Sequence, residues 1–557
     1  MMTRGIPARG NSVSNHTGGD EAAFLAVFHQ WPPAEQAWHW TSDGADSEPT
    51  LPLVASVRGW TRHGMAWTHR RYQSPIGAQH GRRLLTHVFT ASEVLDLSTK
   101  EAAARAAAGL AQMRADGDRL DRQWEDTWFP EIRARMSEAT AMDPSGAGPA
   151  DIARLWAQLD EIGRRLWAIH FDIVMPAHLA LRELDELVRQ HFGDDPVHSA
   201  RALTAGETSW TTRTAAALDD LVAQARAGGP GLAQAMAAAD PDAALAATEV
   251  GRAFQEAVAA FVAEYGKKLA GGLTDPSWIE DATPVLAMVR AAAAGLLPVD
   301  RGAILAERDR VEAEVLAGQP PAVRGALAAG IRRGRHAARL LEDHNFWLDQ
   351  QIPYAARRLA LLTGQRLHAL GLVADGEDIW YLDIPALVSM GDGSGLAAQV
   401  SRERAAMAAG AALVPPRDLG GPAPALPPHP MTDRGAGTPT PEDSGALVAG
   451  QPGSRGVVVG PVRVVRTLAE APTLQPGEIL VTASTSPSWV PWYRLAAAVV
   501  TDAGGALAHA AIVAREMGIP AVVGTRTATT RLQTGMMVEV DGTHGRVRLV
   551  DAGVDAG

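Results

Sequence analysis

The stretch GGALAHAAIVAREMGIPAVVG, residues 504–524, decides the fold of the C-terminal part of this chain. Its two leading glycines bring His509 to the start of an apolar segment with helical spacing. Gly518 is suited to end that helix, and Pro520 prevents the helix from continuing. The pattern therefore predicts a glycine-rich turn, a short helix that begins near His509, and an apolar strand after it.

The predicted position of His509 in the first helical turn indicates what its side chain can do. A helix N-terminus presents unpaired N–H groups and a partial positive charge, so it stabilises a nearby anion. A phosphoryl group carried on the imidazole is an anion that fits this arrangement. The alternative, from the residues alone, is a histidine of ordinary structural role that follows glycines which only shape a turn.

Further segments precede this stretch in a fixed order. They are GVVVGPV at 456–462, LQPGEILV at 474–481 and AVVTD at 498–502. With them, the chain from Gly456 to Val550 resembles the mobile phosphohistidine domain of phosphoenolpyruvate synthase, pyruvate phosphate dikinase, and the related antibiotic- and phenol-phosphorylating enzymes. The resemblance implies a small swivelling α/β domain.

The same resemblance implies roles for particular residues. His509 is expected to be the phosphorylated nucleophile, and Gly504 and Gly505 are expected to form the loop before it. The family often has hydroxyl residues directly before the histidine, where this chain has Leu507 and Ala508. The chain therefore keeps the nucleophile and lacks those hydroxyls.

The composition restricts the class of protein. The 557 residues include 51 basic and 63 acidic side chains, a net charge of −12 that argues against a nucleic-acid partner. Cysteine is absent, so disulfides, thiolate nucleophiles and cysteine-ligated zinc are excluded. No apolar run reaches the roughly 18 residues of a membrane span, and the N-terminus is polar. We therefore expect a cytoplasmic protein that does not bind a membrane.

The pattern along the chain predicts a multidomain protein of the α plus α/β class. We expect a disordered tail over residues 1–20, a mainly helical acceptor-binding domain over 21–414, a flexible Pro/Gly-rich linker over 415–454 and the phosphohistidine domain over 455–557. A flexible linker of about forty residues spans roughly 35 Å. That reach suits a histidine that is phosphorylated at one site and used at another, and an incidental spacer is the alternative.

Helical periodicity is clear in two parts of the predicted acceptor-binding domain. Residues 151–192 carry apolar side chains at three- and four-residue spacing, and Pro176 is expected to kink or split this helix. A second helical block covers residues 304–370, while residues 378–382 have the pattern of a short strand. His170, shortly before Pro176, either lines the acceptor site or packs in the core.

The segment LLEDHNFWLDQ, residues 340–350, is the most suggestive acceptor site in the helical part. On an α-helix, His344 points towards the interior, while Glu342, Asn345 and Asp349 lie together on an adjoining face. The two aromatic residues of the segment then lie beside a polar cluster. The segment therefore predicts an acceptor site with aromatic walls.

Short motifs in residues 25–415 resemble the middle domain of rifampicin phosphotransferase and phenylphosphate synthase. Besides residues 340–350, they are YGKK at 265–268, DPSWIE at 275–280 and EDIWYL at 377–382. The chain is most similar to the histidine-bearing subunit of phenylphosphate synthase and of the 4-methylphenyl phosphate (4-cresol) synthases. This resemblance implies a phosphotransferase that converts a phenol, ATP and water into an aryl phosphate, AMP and Pi through His509.

The implied reaction needs a base, because a phenol with a pKa near 10 is a poor nucleophile at neutral pH. His344, helped by Asp343 or Glu342, is the predicted base. The predicted acceptor-binding side chains are Asn345, Trp347, Asp349, Lys267, Lys268 and Arg339. A structural alternative pairs Arg339 with Asp343 at four-residue spacing. We assign no metal-binding residues in this chain from the sequence.

The ATP that supplies the phosphoryl group is predicted to be bound by another protein. The sequence has no glycine-rich loop followed by Lys-Ser or Lys-Thr, and no dinucleotide-binding fingerprint. We expect an ATP-grasp nucleotide-binding subunit that holds ATP with Mg²⁺ or Mn²⁺, and a different phosphodonor is the alternative. Two other functions stay open: transfer to an antibiotic or pyruvate, and a non-catalytic regulatory role with a degenerate histidine domain.

Overall fold

A computed structural model describes most of the chain as a helical body followed by an α/β region. The described residues are 18–42, 49–193, 195, 197–269, 272–293, 301–410, 413, 415–416, 418–431, 446–466, 468–485, 489–504 and 509–550.

The helices follow in this order: α1 (Gly18–Phe28), α2 (Pro33–Gln36), α3 (Pro52–Arg71), α4 (Thr99–Gly117), α5 (Leu120–Gln123), α6 (Phe129–Ala141), α7 (Pro149–Phe192), α8 (Ala200–Leu203), α9 (Trp210–Ala227), α10 (Gly229–Met236), α11 (Pro241–Ala246), α12 (Glu249–Tyr265), α13 (Thr283–Ala293), α14 (Arg301–Leu316), α15 (Pro321–His344), α16 (Gln351–Ala369), α17 (Ile384–Val388), α18 (Leu396–Gly410), α19 (Val490–Tyr493), α20 (His509–Glu516) and α21 (Ala528–Arg531). Short π-helices cover Trp124–Trp128 and Asn345–Gln350, and short 3-10 helices cover Gly376–Tyr381 and Leu468–Thr473.

The strands are β1 (His39–Thr41), β2 (Ile76–Leu84), β3 (His87–Val94), β4 (Asp418–Gly420), β5 (Val448–Ala449), β6 (Gln451–Ser454), β7 (Val457–Val464), β8 (Ile479–Thr482), β9 (Ala498–Thr501), β10 (Ala521–Val523), β11 (Met537–Asp541) and β12 (Arg546–Leu549).

The helical body is built around α7, which has 44 residues. Apolar side chains recur along this helix at helical spacing, and it packs against α3 and α15. Gly163 of α7 lies against Trp60 of α3, where a Cβ would come within 2.4 Å of the indole ring. The missing side chain at Gly163 therefore lets the two helices approach closely.

Two local predictions for the body are wrong, the split at Pro176 and the strand at residues 378–382, while a kink at Pro176 stays a prediction. Pro176 does not split its helix, because α7 runs through it from Pro149 to Phe192. Proline removes a single N–H donor, and the buried residues on both sides of it hold the helix together. Gly376–Tyr381 is a 3-10 helix, where a strand was expected. Asp375 accepts the N–H of Glu377 at 2.9 Å, and such local hydrogen bonds compete with strand pairing.

The body also contains an antiparallel sheet in the order β2-β3-β1-β4. Its edge strand β4 comes from the predicted linker, and Leu419 of β4 pairs with Trp40 of β1. Further along, buried His429 has its Nε2 atom 3.0 Å from the carbonyl oxygen of Tyr72. Residues 418–431 therefore belong to the body.

The C-terminal region is a mixed sheet in the order β5-β12-β11-β7-β8-β9-β10-β6. Strands β7, β8, β9 and β10 are parallel to one another. All residues of β8, β9 and β10 are buried, as is typical of parallel strands covered on both faces. The predicted alternation of short apolar strands and brief helices is confirmed.

Two further elements cross the predicted domain boundaries. Strand β5 begins at Val448, so the C-terminal sheet also takes residues from the linker predicted over 415–454. Residues 432–445, between β4 and β5, lie outside the described residues. Helix α1 begins at Gly18, inside the tail predicted over residues 1–20, of which residues 1–17 lie outside the description.

The body and the C-terminal region pack against each other. One hydrophobic cluster contains residues of both: Leu221, Trp278, Val289, Trp492 and Met517. Ion pairs join Arg494 to Asp219, with Nη2 and Oδ2 2.8 Å apart, and Arg455 to Glu307, 3.4 Å apart. A mainly helical body with a C-terminal α/β region is thus confirmed, while swivelling stays a prediction.

No described helix combines the length and the apolar composition that a membrane crossing requires.

Candidate functional site

The turn, helix and strand predicted around His509 are present in the structure. Helix α20 begins at His509, and Gly518, with φ +66°, follows its last turn. The N–H of Ile519 bonds to the carbonyl oxygen of Ala514 at 3.0 Å, which closes the helix end before β10. The side chain of His509 and the whole of Gly505 lie outside the described residues.

The strand end before His509 is fixed by close contacts. Gly504 has φ +105°, and a Cβ on Gly524 would come within 2.4 Å of the Gly504 carbonyl oxygen. The carboxylate of Asp502 accepts the N–H of Thr529 at 3.1 Å and the hydroxyl of Thr525 at 3.2 Å. Glycine is therefore required at 504 for its backbone conformation and at 524 for the close approach.

Helix α20 lies beside the acidic segment of the body. Burial raises the pKa of Glu342 to about 7, while the Thr211 hydroxyl and the positive charge of Arg515 oppose that rise. Arg515 belongs to α20, six residues after His509. Burial also raises the pKa of Tyr493 in the C-terminal region, and the charge of Glu342 adds to this rise. The helix that begins at His509 and the predicted acceptor site therefore meet at one boundary.

The two carboxyl groups of the acidic segment have different partners. Oε2 of Glu342 accepts the Thr211 hydroxyl at 2.5 Å, whereas Oε1 is buried without a hydrogen-bond partner in the described part of the chain. Oδ1 of Asp343 accepts the backbone N–H of Trp210 at 2.9 Å. Burial raises the pKa of Asp343 to about 6, and the Trp210 N–H acts in the opposite direction. Asp343 therefore holds the start of α9, and Glu342 keeps one oxygen available.

An aromatic cluster adjoins these carboxyl groups. Trp210 stacks on Phe346 with ring centroids 4.7 Å apart and an interplanar angle of 10°. Trp347 meets Trp210 edge to face at 5.3 Å and Phe129 at 5.1 Å, and Tyr265 lies 6.3 Å from Phe346. The sequence predicted Phe346 and Trp347 here, but it gave no signal for Trp210, which lies over a hundred positions earlier in the chain.

The segment after His344 is a π-helix, and this changes the predicted arrangement of side chains. Residues five apart diverge on an α-helix but come close on a π-helix, whose hydrogen bonds run from i to i+5. Asp349 therefore lies near His344, and the two form a group with His170 of α7 in which ligand atoms are within 4.8 Å of one another. His170 had been left open between pocket and core. Asn345 is buried at the start of the π-helix.

His344 is held as a neutral imidazole. Its Nδ1 atom lies 2.8 Å from the carbonyl oxygen of Leu340, so Nδ1 carries the proton and Nε2 is the basic nitrogen. Burial, together with a smaller effect of the neighbouring His170, lowers the pKa of His344 to about 4.

No hydrogen bond or ion pair joins the predicted cationic side chains to these carboxyl groups among the described residues, although the charge of Arg339 opposes the rise of the Asp343 pKa. Arg339 donates to Asp121 at 3.0 Å, in place of the pair with Asp343 that four-residue spacing suggested. Nζ of Lys268 is buried 3.6 Å from the centroid of the Trp278 ring. Across the ranges that the structure describes, no hydrogen bond or ion pair joins Lys267 or Lys268 to Glu342.

Family models match two parts of the chain. Residues 474–545 match the mobile domain of PEP-utilising enzymes, and residues 170–342 match the fourth domain of rifampicin phosphotransferase. The first range contains His509, and the second begins at His170 and ends at Glu342.

Three individual relatives are similar to different shares of the chain. The chain is 33% identical over 504 residues to chondramide synthase of Chondromyces crocatus, covering 84% of this chain and 13% of that protein. It is 36% identical over 198 residues to rifampicin phosphotransferase of Streptomyces sviceus, covering 35% of this chain and 22% of that protein. It is 56% identical over 102 residues to phosphoenolpyruvate synthase of Aeropyrum pernix, covering 18% of this chain and 12% of that enzyme.

The chain spans 12% to 22% of the length of these relatives, so their whole activities are not carried over to it directly. A solved structure of Enzyme I covers 45% of this chain at 15% identity with a TM-score of 0.14, a similarity too low for any argument. The finer resemblance to phenylphosphate synthase stays a prediction. The chain thus has one part similar to the mobile domain of PEP-utilising enzymes and another similar to the fourth domain of rifampicin phosphotransferase.

Proposed function

We propose that this chain carries a phosphoryl group on His509 and transfers it to a hydroxyl group of a small acceptor bound in the helical body. The observation that supports this most is the position of helix α20. Arg515 of that helix lies close enough to Glu342 to oppose the rise of its pKa, and Val513 and Met517 pack in the cluster shared with the body. The helix of the proposed carrier residue and the candidate acceptor site therefore adjoin each other.

The proposed transfer breaks a P–N bond and forms a P–O bond. The P–N bond at His509 breaks while the acceptor oxygen bonds to phosphorus, and the proton of the acceptor hydroxyl passes to a base in the body. Glu342 is the favoured base because its Oε1 atom is buried and has no hydrogen-bond partner among the described residues. Asp343 already accepts the N–H of Trp210, and burial makes His344 a weak base because its pKa is lowered to about 4. The loose transition state of phosphoryl transfer makes alignment the main requirement.

The proposed acceptor is an aromatic compound with a hydroxyl group. The stacked pair Trp210 and Phe346, with Trp347 edge-on, supports a flat ring as the bound group. A phenol of the cresol type is the acceptor implied by the sequence resemblance. A larger hydroxylated antibiotic is the second candidate, favoured by the match of residues 170–342 to rifampicin phosphotransferase. Comparing phenols with such antibiotics by release of AMP distinguishes the two.

The proposed phosphodonor is ATP, bound with Mg²⁺ or Mn²⁺ by an ATP-grasp nucleotide-binding partner. ATP, the acceptor and water would give the acceptor phosphate, AMP and Pi. His509 would first take the β- and γ-phosphoryl groups together, then lose the γ-group as Pi, and finally pass on the β-phosphoryl group.

The test is to incubate the chain and its partner with ATP labelled in the β-phosphoryl group. We expect acid-labile, base-stable label on His509, and its transfer to the acceptor when a phenol is added. His509→Ala should remove both label and product. His544→Ala is the matched control, because His544 lies in the same region with an exposed side chain paired to Asp541.

Unlabelled wild-type protein during turnover, or full product formation by His509→Ala, would refute the proposal. Labelled His509 without transfer to any phenol or antibiotic would refute only the proposed acceptor class.

A further inference from the structure

A buried histidine pair between α7 and the end of α15 is not used in the transfer proposed above. The rings of His170 and His344 meet edge to face with centroids 4.8 Å apart. Nδ1 of His170 lies 2.8 Å from Oδ1 of Asp349. One ligand atom from each of the three residues lies within 4.8 Å of the other two. Ligand atoms on one zinc ion are roughly 3 to 3.5 Å apart, so side-chain shifts of about 1 Å complete the set.

The surroundings of the two imidazoles are those of metal-binding histidines. Such histidines usually donate the second ring N–H to a carbonyl oxygen or a carboxylate, which fixes the ring and the tautomer. Nδ1 of His344 makes this bond to Leu340 and directs Nε2 to the group. Nδ1 of His170 is buried and lies 2.8 Å from the Asp349 carboxylate, so this nitrogen faces the rest of the group. Both rings are nearly inaccessible to solvent, with exposures of 8% for His170 and 4% for His344.

The π-helix Asn345–Gln350 brings the third residue of the group into position. His344 and Asp349 are five residues apart, and a regular α-helix would turn them well away from each other. Single π-turns inside helices occur frequently at functional sites, because they change the direction of the side chains that follow. Here the redirected side chain is that of Asp349, whose carboxylate comes to lie beside the two imidazoles.

We propose that His170, His344 and Asp349 bind one divalent transition-metal ion, with Zn²⁺ as the favoured ion. Two imidazoles and a carboxylate are ligands that zinc prefers, whereas Mg²⁺ and Ca²⁺ prefer sites made of oxygen alone. Three protein ligands leave one coordination position for an oxygen atom of a small molecule. The charge of Asp349 adds to the rise of the Glu342 pKa, so the bound ion would lie near the proposed base and that oxygen would be the acceptor hydroxyl. This last step rests on the proposed function, and ion binding itself does not.

The test is metal binding by the whole chain without ATP or acceptor. The protein is dialysed against EDTA and titrated with Zn²⁺ by calorimetry, and with Co²⁺ while its visible absorption is followed. We expect one ion per chain. We also expect at least tenfold weaker binding in His170→Ala, His344→Ala and Asp349→Asn. His178→Ala is the matched control on α7 and should bind as the wild type does.

Thermal unfolding keeps the test valid if a variant folds poorly. Zn²⁺ should raise the Tm of the wild type, because an ion that binds only the folded state stabilises it, and should raise it less in Asp349→Asn. The proposal is overturned if the wild type takes up no stoichiometric metal, or if the three variants bind as tightly as the wild type. Equal loss in His178→Ala overturns the assigned ligands. None of these results affects the labelling of His509.

Discussion

The two functional regions differ in how their residues are distributed along the chain. The turn, helix and strand around His509 are formed by consecutive residues, 504–524. The site in the body combines His170 of α7, Trp210 of α9 and residues 342–349, which cover the end of α15 and the π-helix after it. Glycines, prolines and apolar spacing specify the first region locally. The second depends on which helices pack together, and local signals do not specify that.

The largest expected effect is that of Glu342→Gln on phosphoryl transfer, which tests the separate roles of the two regions. If the body supplies the base, Glu342→Gln should leave labelling of His509 intact and slow transfer to the acceptor by roughly 10²- to 10⁴-fold, the usual contribution of a positioned base. Single-turnover transfer from pre-labelled protein measures this directly. Glu256→Gln, on the exposed side of α12, is the matched control.

A Glu342→Gln variant that transfers at the wild-type rate would contradict the division of roles. The C-terminal region would then act without a base from the acidic segment. Loss of labelling itself would instead mean that Glu342 assists phosphorylation of His509.

The comparison also explains what the sequence could predict. Gly518 and Pro520 act on their own neighbours, so the bounds of α20 followed from them. The π-helix after His344 has no such marker, and α-helical spacing therefore put Asp349 beside Asn345 instead of beside His344. Trp210 could not be found from spacing, because it reaches Phe346 only through the packing of α9 on α15.

Lys268 differs between prediction and structure. The sequence predicted that it binds the acceptor, and the structure buries it. Burial lowers the pKa of Lys268 to about 7, from about 10.4 in an unfolded chain. Between these values the unfolded state binds more protons, so the free energy of unfolding rises with pH. The cation–π contact with Trp278, worth roughly 1 to 2 kcal/mol, offsets only part of the burial cost.

Lys268→Met should therefore stabilise the protein by roughly 2 to 4 kcal/mol at pH 6, and less as the pH approaches 10. Urea unfolding at pH 6, 8 and 10 measures this trend. Lys267→Met removes the same charge from a half-buried neighbour and is the control. A gain for Lys268→Met that does not change with pH would mean that the pKa of the buried lysine is not lowered in the folded protein.

A smaller effect tests the close packing on which the body site depends. A methyl group on Gly163 would meet the Trp60 ring, so Gly163→Ala should destabilise the protein by about 1 to 3 kcal/mol. Gly325 of α15 has open space around its Cα, and Gly325→Ala should stabilise the protein by about 0.5 to 1 kcal/mol. Chemical denaturation of both variants measures whether the free energy of unfolding falls for Gly163→Ala and rises for Gly325→Ala. A stabilising Gly163→Ala would mean that α3 and α7 are less tightly packed than described.

The smallest expected effect concerns the boundary between the two regions. Arg494 and Asp219 pair across it, with the Asp219 side chain 55% exposed, so a double-mutant cycle should give a coupling of about 0.2 to 1 kcal/mol that falls with salt. Arg463 and Glu478 form a two-bond pair within the C-terminal region at 2.6 and 2.9 Å, with the Glu478 side chain 12% exposed. The Arg494–Asp219 pair also has two bonds, so the difference lies in the carboxylates. The coupling within the C-terminal region should be larger and less sensitive to salt, because the Glu478 carboxylate is more shielded from solvent than that of Asp219. A C-terminal region that moves away from the body needs weaker ion pairs to the body than within itself. Equal coupling energies for the two pairs would contradict this movement.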